Sequence, residues 1–136
     1  MTRTKQIFSL TAPYNNRYQG TQTRLLFVCS VGMLRSPTAA DVASKIGYNT
    51  RSCGEDEMAL IPLSVNLIEW ADKILFMSPE NYINSMKNFE SCGYDVDIHE
   101  KAIRLSIDDD YDRNDPWLIK LIELKLQELN IPINRS

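Results

Sequence analysis

The run Leu25-Leu26-Phe27-Val28-Cys29 has no polar residue on either face and breaks at Ser30. A strand of that composition is buried on both sides, as strands are in a parallel sheet covered by helices and rarely in an antiparallel sheet with one wet face. The residues that follow support this reading. A loop over 30–35 leads to Ser36-Pro37, the order of a helix N-cap and a first-position proline. Ala39, Val42, Ala43 and Ile46 fall at i, i+3, i+4 and i+7, which makes one inward stripe, and Gly47 stands where a helix-terminating glycine belongs. The segment predicts strand, tight loop and helix.

The alternation repeats down the chain. Residues 48–53 suit a short edge strand, Pro62 to Ala71 a helix with Leu63, Leu67 and Ile68 inward, and Lys73 to Met77 a second buried strand. Ser78-Pro79 is another cap-and-proline start, for a helix carrying Tyr82, Ile83, Met86 and Phe89 and stopped by Gly93. Ile103, Leu105 and Ile107 alternate as a strand, and Pro116 to Leu129 forms a last helix ended by Asn130 and Pro132. Four strands each followed by a helix predict one three-layer α/β domain: a four-stranded parallel sheet, flanked by helices, with ligands beyond the C-terminal strand ends.

At 136 residues the chain suits a single core. Residues 1–22 show no sustained period and read as a basic extension, leaving 23–136 as the domain. Residues 1–24 carry Arg3, Lys5, Arg17 and Arg24 and no acid, whereas the remainder holds 11 basic against 18 acidic residues. No apolar run approaches the ~20 residues that span a bilayer, and no signal-peptide core is present, so a cytoplasmic protein without a membrane partner is expected. Cys29, Cys53 and Cys92 are odd in number and irregularly spaced, unlike a disulfide framework or a zinc site.

The loop Cys29-Ser30-Val31-Gly32-Met33-Leu34-Arg35-Ser36 falls at the predicted ligand edge. Successive backbone N–H groups there can converge as a nest at a helix N-terminus, which binds a tetrahedral oxyanion and stabilises a thiolate. Cys29 is then a nucleophile at neutral pH. Arg35 offers a planar fork to two phosphate oxygens, and Ser36 can donate to the departing thiolate while capping the helix. A buried core thiol and a surface arginine would look the same in isolation. The place of the motif, between a buried strand and a Ser-Pro helix start, favours phosphate binding by Ser30, Val31, Gly32, Met33, Leu34 and Arg35.

The stretch Leu-Leu-Phe-Val-Cys-Ser-Val-Gly-Met-Leu-Arg-Ser-Pro-Thr-Ala-Ala resembles the phosphate-binding loop of the low-molecular-weight protein tyrosine phosphatases, especially their small bacterial and phage branch. The similarity runs over residues 24–131, through Ala71-Asp72-Lys73-Ile74-Leu75-Phe76-Met77 and the acidic loop. It implies hydrolysis of a phosphomonoester through a phosphocysteine, with no metal or other cofactor. One departure stands out. The family places Asn three residues after the cysteine, and here that residue is Gly32. Glycine can follow the same backbone path but has no side chain with which to brace the loop.

A phenolate leaves faster when a carboxylic acid protonates it, and the resulting carboxylate can then activate water. Asp108, Asp109, Asp110, Asp112 and Asp115 follow the last predicted strand. The family's acid lies in an Asp-Pro pair, which here is Asp115-Pro116, but that pair also reads as N-cap and first proline of the final helix. The alternative register sets Asp109-Asp110-Tyr111 against the family's Asp-Pro-Tyr. Asp109 is therefore the favoured acid, with Asp108 and Asp110 next and Asp115 behind them. Tyr111 then stands at the rim to stack on a substrate ring, and Trp117 is a second rim candidate unless it packs in the core.

The remaining signals are weak. Cys53 and Cys92 lack the close pairing of an arsenate-reductase relay. His99 reads as solvated, and Met58, Met77 and Met86 as core or surface filler. The tail, with Phe8, Tyr14 and Tyr18, carries too few charges to favour nucleic acid. The expected partner is a phosphorylated protein or a small phosphomonoester, with no indication of oligomeric state. A phosphate-binding module without turnover is the competing class.

Overall fold

The structure is a computed structural model that describes residues 21–30, 35–56, 58–59, 61–91, 98–107, 112 and 114–134. In chain order its elements are β1 (Arg24–Cys29), α1 (Arg35–Ile46), β2 (Asn49–Gly54), α2 (Val65–Trp70), β3 (Lys73–Phe76), α3 (Pro79–Ser91), α4 (Ile98–Lys101), β4 (Ala102–Arg104) and α5 (Pro116–Leu129). The strands form one sheet in the order β2-β1-β3-β4, with every pairing parallel. β1 is central and buried on both faces, as its unbroken apolar run requires.

Alternate residues of β1 feed two cores. Leu25, Phe27 and Cys29 face a cluster with Ala39 and Ala43 of α1, Leu75 and Met77, and Leu118, Ile122 and Leu126 of α5. Leu26 and Val28 face the other side, with Cys53, Ile68, Ile74, Phe76 and Ile98, against which Tyr82, Met86 and Phe89 of α3 pack. Gly47, at φ +130°, closes α1, and a Cβ there would lie 3.3 Å from the Ile133 side chain. Thr23 ties the start of β1 to the chain end, its N–H reaching Ile133 O at 2.6 Å and its Oγ1 Pro132 O at 2.6 Å.

Several element readings need correction. The helix expected over 62–71 begins only at Val65: Pro62 bridges to Gly54, Leu63 N–H bonds to Gly54 O, and Ser64 is the N-cap, accepting from Leu67 N. A short helix, α4, was not expected; it buries Ile98 immediately before β4. Regular β4 stops at Arg104, yet the ladder carries on, with Leu105 N–H to Phe76 O and Ile107 N–H to Met77 O, both 2.8 Å. Ile46 is 43% exposed, since the last turn of α1 borders a surface groove of about 540 Å³ between α1 and α5 and does not face the sheet. Ile83 is half exposed on α3, and Trp117 is 73% exposed, so it is not a core residue. Residues 1–20, Cys92 and the expected stop at Gly93 lie outside the described residues. No described helix is long and apolar enough to cross a membrane.

Candidate active site

Cys29 ends β1 at the C-terminal edge of the sheet and is 3% exposed. Its Sγ lies 3.0 Å from Ser36 Oγ, and Ser36 Oγ in turn donates to the Cys53 carbonyl at 3.3 Å. Ser36 therefore does not cap the helix. α1 already begins at Arg35, and the fully buried Ser36 hydroxyl turns toward the cysteine. One hydroxyl proton faces two acceptors once the thiol ionises, and a charged acceptor forms the stronger bond. Loss of the Cys29 proton should thus draw the Ser36 hydrogen from the carbonyl to the sulfur.

Arg35 is the first residue of α1 and is 4% exposed. Its Nη1 donates to Ile107 O at 2.8 Å. That bond aims the guanidinium along the edge on which Cys29 lies and ties it to the last described residue before the aspartate loop. The far end of the same loop is held as well. Asn114, in the left-handed region at φ 62°, donates its N–H to Thr38 Oγ1 of α1 at 2.9 Å. Ile107 and Asn114 are thus both fastened to the first turn of the helix that follows the cysteine loop. Asp115 is the N-cap of α5, accepting Trp117 N–H at 2.8 Å, as the Asp-Pro pair suggests.

A second layer of contacts braces the cysteine end from the β2 side. Glu55 N–H donates to Cys29 O and Asp56 N–H to Ser30 O, both at 2.9 Å. From α3, Asn81 donates Nδ2 to Ser30 Oγ at 3.2 Å, Asn84 donates Nδ2 to Glu55 Oε1 at 3.4 Å, and Asn88 donates Nδ2 to the Glu55 carbonyl at 3.1 Å. These three amides lie at i, i+3 and i+7, one helical face. Desolvation raises the Glu55 carboxyl above the ordinary glutamate range, opposed by hydrogen bonds from Asn84 and Asn81 and helped by the Asp56 charge. The sequence reading missed all of these residues. Ser78-x-x-Asn81 has the form of a capping box, and Asn81 Oδ1 does accept from Ser78 N–H at 3.1 Å and Ser78 Oγ at 2.9 Å. That signal reveals the cap, but the Ser30 contact depends on tertiary placement.

Ser30, Cys29, Arg35 and Ser36 are thus brought to one edge. Val31, Gly32, Met33, Leu34, Asp108, Asp109, Asp110 and Tyr111 lie outside the described residues. Cys53 is 1% exposed and packs in the core across the sheet from that of Cys29; burial, with the nearby Cys29 sulfur second, pushes its thiol well up. A cysteine relay gains nothing from that placement. His99 is exposed but not merely solvated, since its Nδ1 lies 2.9 Å from Tyr82 Oη. Met77 is core and Met58 is surface. Among the described residues, no three His, Cys, Asp or Glu side chains converge as metal ligands.

No family profile matches the sequence, and no curated protein matches it either. Solved structures do match. Wzb from Vibrio vulnificus, in complex with benzylphosphonate, aligns over 79% of this chain and 97% of its own with a TM-score of 0.62 at 16% identity. The YwlE arginine phosphatase from Geobacillus stearothermophilus aligns over 79% and 92%, with a TM-score of 0.58 at 20% identity. A low-molecular-weight phosphotyrosine phosphatase from Vibrio cholerae O395 aligns over 80% and 99%, with a TM-score of 0.54 at 16% identity. The chain has the fold of the low-molecular-weight tyrosine phosphatases, as the sequence resemblance implies.

Proposed function

We propose that this protein hydrolyses phosphomonoesters, phosphotyrosine foremost, through a phosphocysteine on Cys29 and without a metal ion. The observation that carries the reading is the Cys29 Sγ to Ser36 Oγ contact of 3.0 Å at the start of α1, beside the buried Arg35. A thiolate on Cys29 would have the Ser36 hydroxyl within donor reach of its sulfur, and a buried arginine at a ligand edge suits a dianionic group. The fold adds support, since its solved examples include an arginine phosphatase, a phosphotyrosine phosphatase and a complex with benzylphosphonate, an aryl phosphonate.

In the first step Cys29 Sγ attacks phosphorus, the P–O ester bond breaks, and the leaving oxygen takes a proton from an aspartic acid. In the second, water attacks the phosphocysteine and gives its proton to that aspartate, and the P–S bond breaks to release phosphate and the thiolate. Arg35 holds two phosphate oxygens, and Ser36 stabilises the sulfur as attacking and leaving group. Asp109 is the proposed acid and base, with Asp108 and Asp110 as its alternatives, on a loop rooted to α1 at Ile107 and Asn114. Tyr111 is the proposed rim residue for the substrate ring, which belongs to a phosphorylated protein or a small phosphoester. A thiol that must stay reduced fits a cytoplasmic location.

Release of p-nitrophenol from p-nitrophenyl phosphate in the presence of EDTA tests this reading. Wild-type protein is expected to turn over, and Cys29→Ser to lose at least ~10³-fold while still binding phosphate. A wild type that binds phosphate and releases no nitrophenol would instead be the binding module that Gly32 brings to mind.

A further inference from the structure

The cysteine loop has Gly32 where the resembled family has a bracing asparagine, so that side chain is missing, and the described contacts to the loop's first residue come from α3 and the turn after β2. We propose that Asn81 of α3 is a positioning residue for this loop, acting through Ser30. The inference rests on the phosphate-site reading above and adds to it a residue that touches neither substrate nor the reacting atoms.

Asn81 is 1% exposed, and each end of its amide has a separate task. Oδ1 takes Ser78 N–H and Ser78 Oγ, which caps α3, and Nδ2 reaches across to Ser30 Oγ at 3.2 Å. An amide whose oxygen is held by two donors has a fixed plane, so its N–H vectors are fixed as well. Ser85 Oγ donates to the Asn81 carbonyl at 2.7 Å and secures the backbone beneath. Ser30 therefore meets a donor whose orientation is set before any ligand arrives.

Orientation at residue 30 determines where its amide points. Glu55 N–H holds the Cys29 carbonyl and Asp56 N–H holds the Ser30 carbonyl, both on the β2 side. In a trans peptide the N–H points opposite to the C=O of the same plane, so fixing the Cys29 carbonyl turns the Ser30 N–H away from β2. The two carbonyl bonds leave the Ser30 side chain as the third point of attachment, and Asn81 supplies it. With all three in place the first amide after the nucleophile is set for an oxyanion in advance, which is how preorganised donors gain over mobile ones.

The test is a double-mutant cycle with Asn81→Ala, Ser30→Ala and the pair, reading inorganic phosphate affinity by titration calorimetry, kcat/KM on p-nitrophenyl phosphate, and Tm. Ser30→Ala leaves the Asn81 cap of α3 intact, so it reports on the link even where Asn81→Ala folds poorly. Each single change is expected to weaken phosphate binding and kcat/KM by about 3- to 10-fold, the size of one hydrogen bond, and the double variant to be no weaker than Asn81→Ala. Asn81→Ala alone should also lower Tm, through loss of the cap. Losses that multiply in the double variant, or an Asn81→Ala that lowers Tm and leaves phosphate affinity unchanged, would overturn the proposal. Should the wild type bind phosphate without turnover, the catalytic reading fails while the cycle still decides on Asn81. A wild type that does not bind phosphate overturns both.

Discussion

Ser36 shows how one hydroxyl can serve both protonation states of a neighbouring thiol. With Cys29 protonated its hydrogen goes to the Cys53 carbonyl at 3.3 Å, and with Cys29 ionised the sulfur at 3.0 Å is the better acceptor. Ser36→Ala removes a hydrogen bond to a charged group, worth roughly 1.5–3 kcal/mol, so kcat should fall by about 10- to 100-fold with KM little changed. Steady-state kinetics check this, and an effect confined to KM would contradict it. Alkylation separates the thiols. Iodoacetate near pH 6 should label Cys29 before Cys53, whose thiol is pushed up by burial, and vanadate should protect Cys29. Cys53 labelled first, as read by peptide mass spectrometry, would place the reactive thiol elsewhere. The Cys29, Arg35 and Ser36 set was legible in the sequence because a buried strand and a Ser-Pro helix start bracket it. Two details were not: Ser36 turns its side chain toward Cys29 in place of capping the helix, and Asn81 enters from a helix more than 40 positions downstream.

Loops and caps decide the chemistry at the scale of elements. The aspartate loop is pinned to α1 through Arg35 to Ile107 and Thr38 to Asn114, while Asp115 is occupied as the cap of α5. Asp109→Asn should lower hydrolysis of esters with poor leaving groups by roughly 10²- to 10⁴-fold and affect good leaving groups less. Asp115→Asn should do little, and Asp115→Ala should cost ~1 kcal/mol of stability with turnover of the folded fraction retained. A leaving-group-dependent loss in Asp115→Asn and not in Asp109→Asn would transfer the acid role to the Asp-Pro pair. The turn after β2 gives a pH test. Glu55 has its carboxyl raised on folding, so its contribution to stability is complete below the ordinary glutamate value of ~4.3 and is lost as pH rises through the raised one. Glu55→Gln, which stays neutral and keeps an oxygen for Asn84, should therefore exceed wild type in Tm at pH 7 and match it near pH 4. A difference independent of pH would remove the titration from the argument. Element boundaries were legible where a cap was explicit, as at Pro116–Leu129. They were misread at 62–64, where Pro62 and Leu63 pair with Gly54 and so extend the sheet edge in place of a helix.

At the scale of the whole molecule, two cores on either side of one parallel sheet support the edge that carries Cys29. Among the described residues both are built from 25–131, and residues 1–22 read in the sequence as an extension, so removing residues 1–20 should leave Tm and turnover unchanged in calorimetry and kinetics. A cut through Thr23 should lower Tm, because its N–H and hydroxyl tie β1 to Ile133 and Pro132. The parallel sheet was legible from the two-sided burial of β1, whereas the assignment of helices to faces depended on packing that no local period records; Ile46 and Trp117 are exposed for that reason. The reading as a cysteine phosphatase rests on covalent chemistry at one sulfur, and trapping that intermediate tests it most directly. Protein mixed with an excess of p-nitrophenyl phosphate and quenched in acid within the first turnover should carry one phosphoryl group on the peptide containing Cys29, accompanied by a burst of nitrophenol and absent from Cys29→Ser. Turnover with no phosphorylated peptide, or with the phosphoryl group on any other residue, would contradict it.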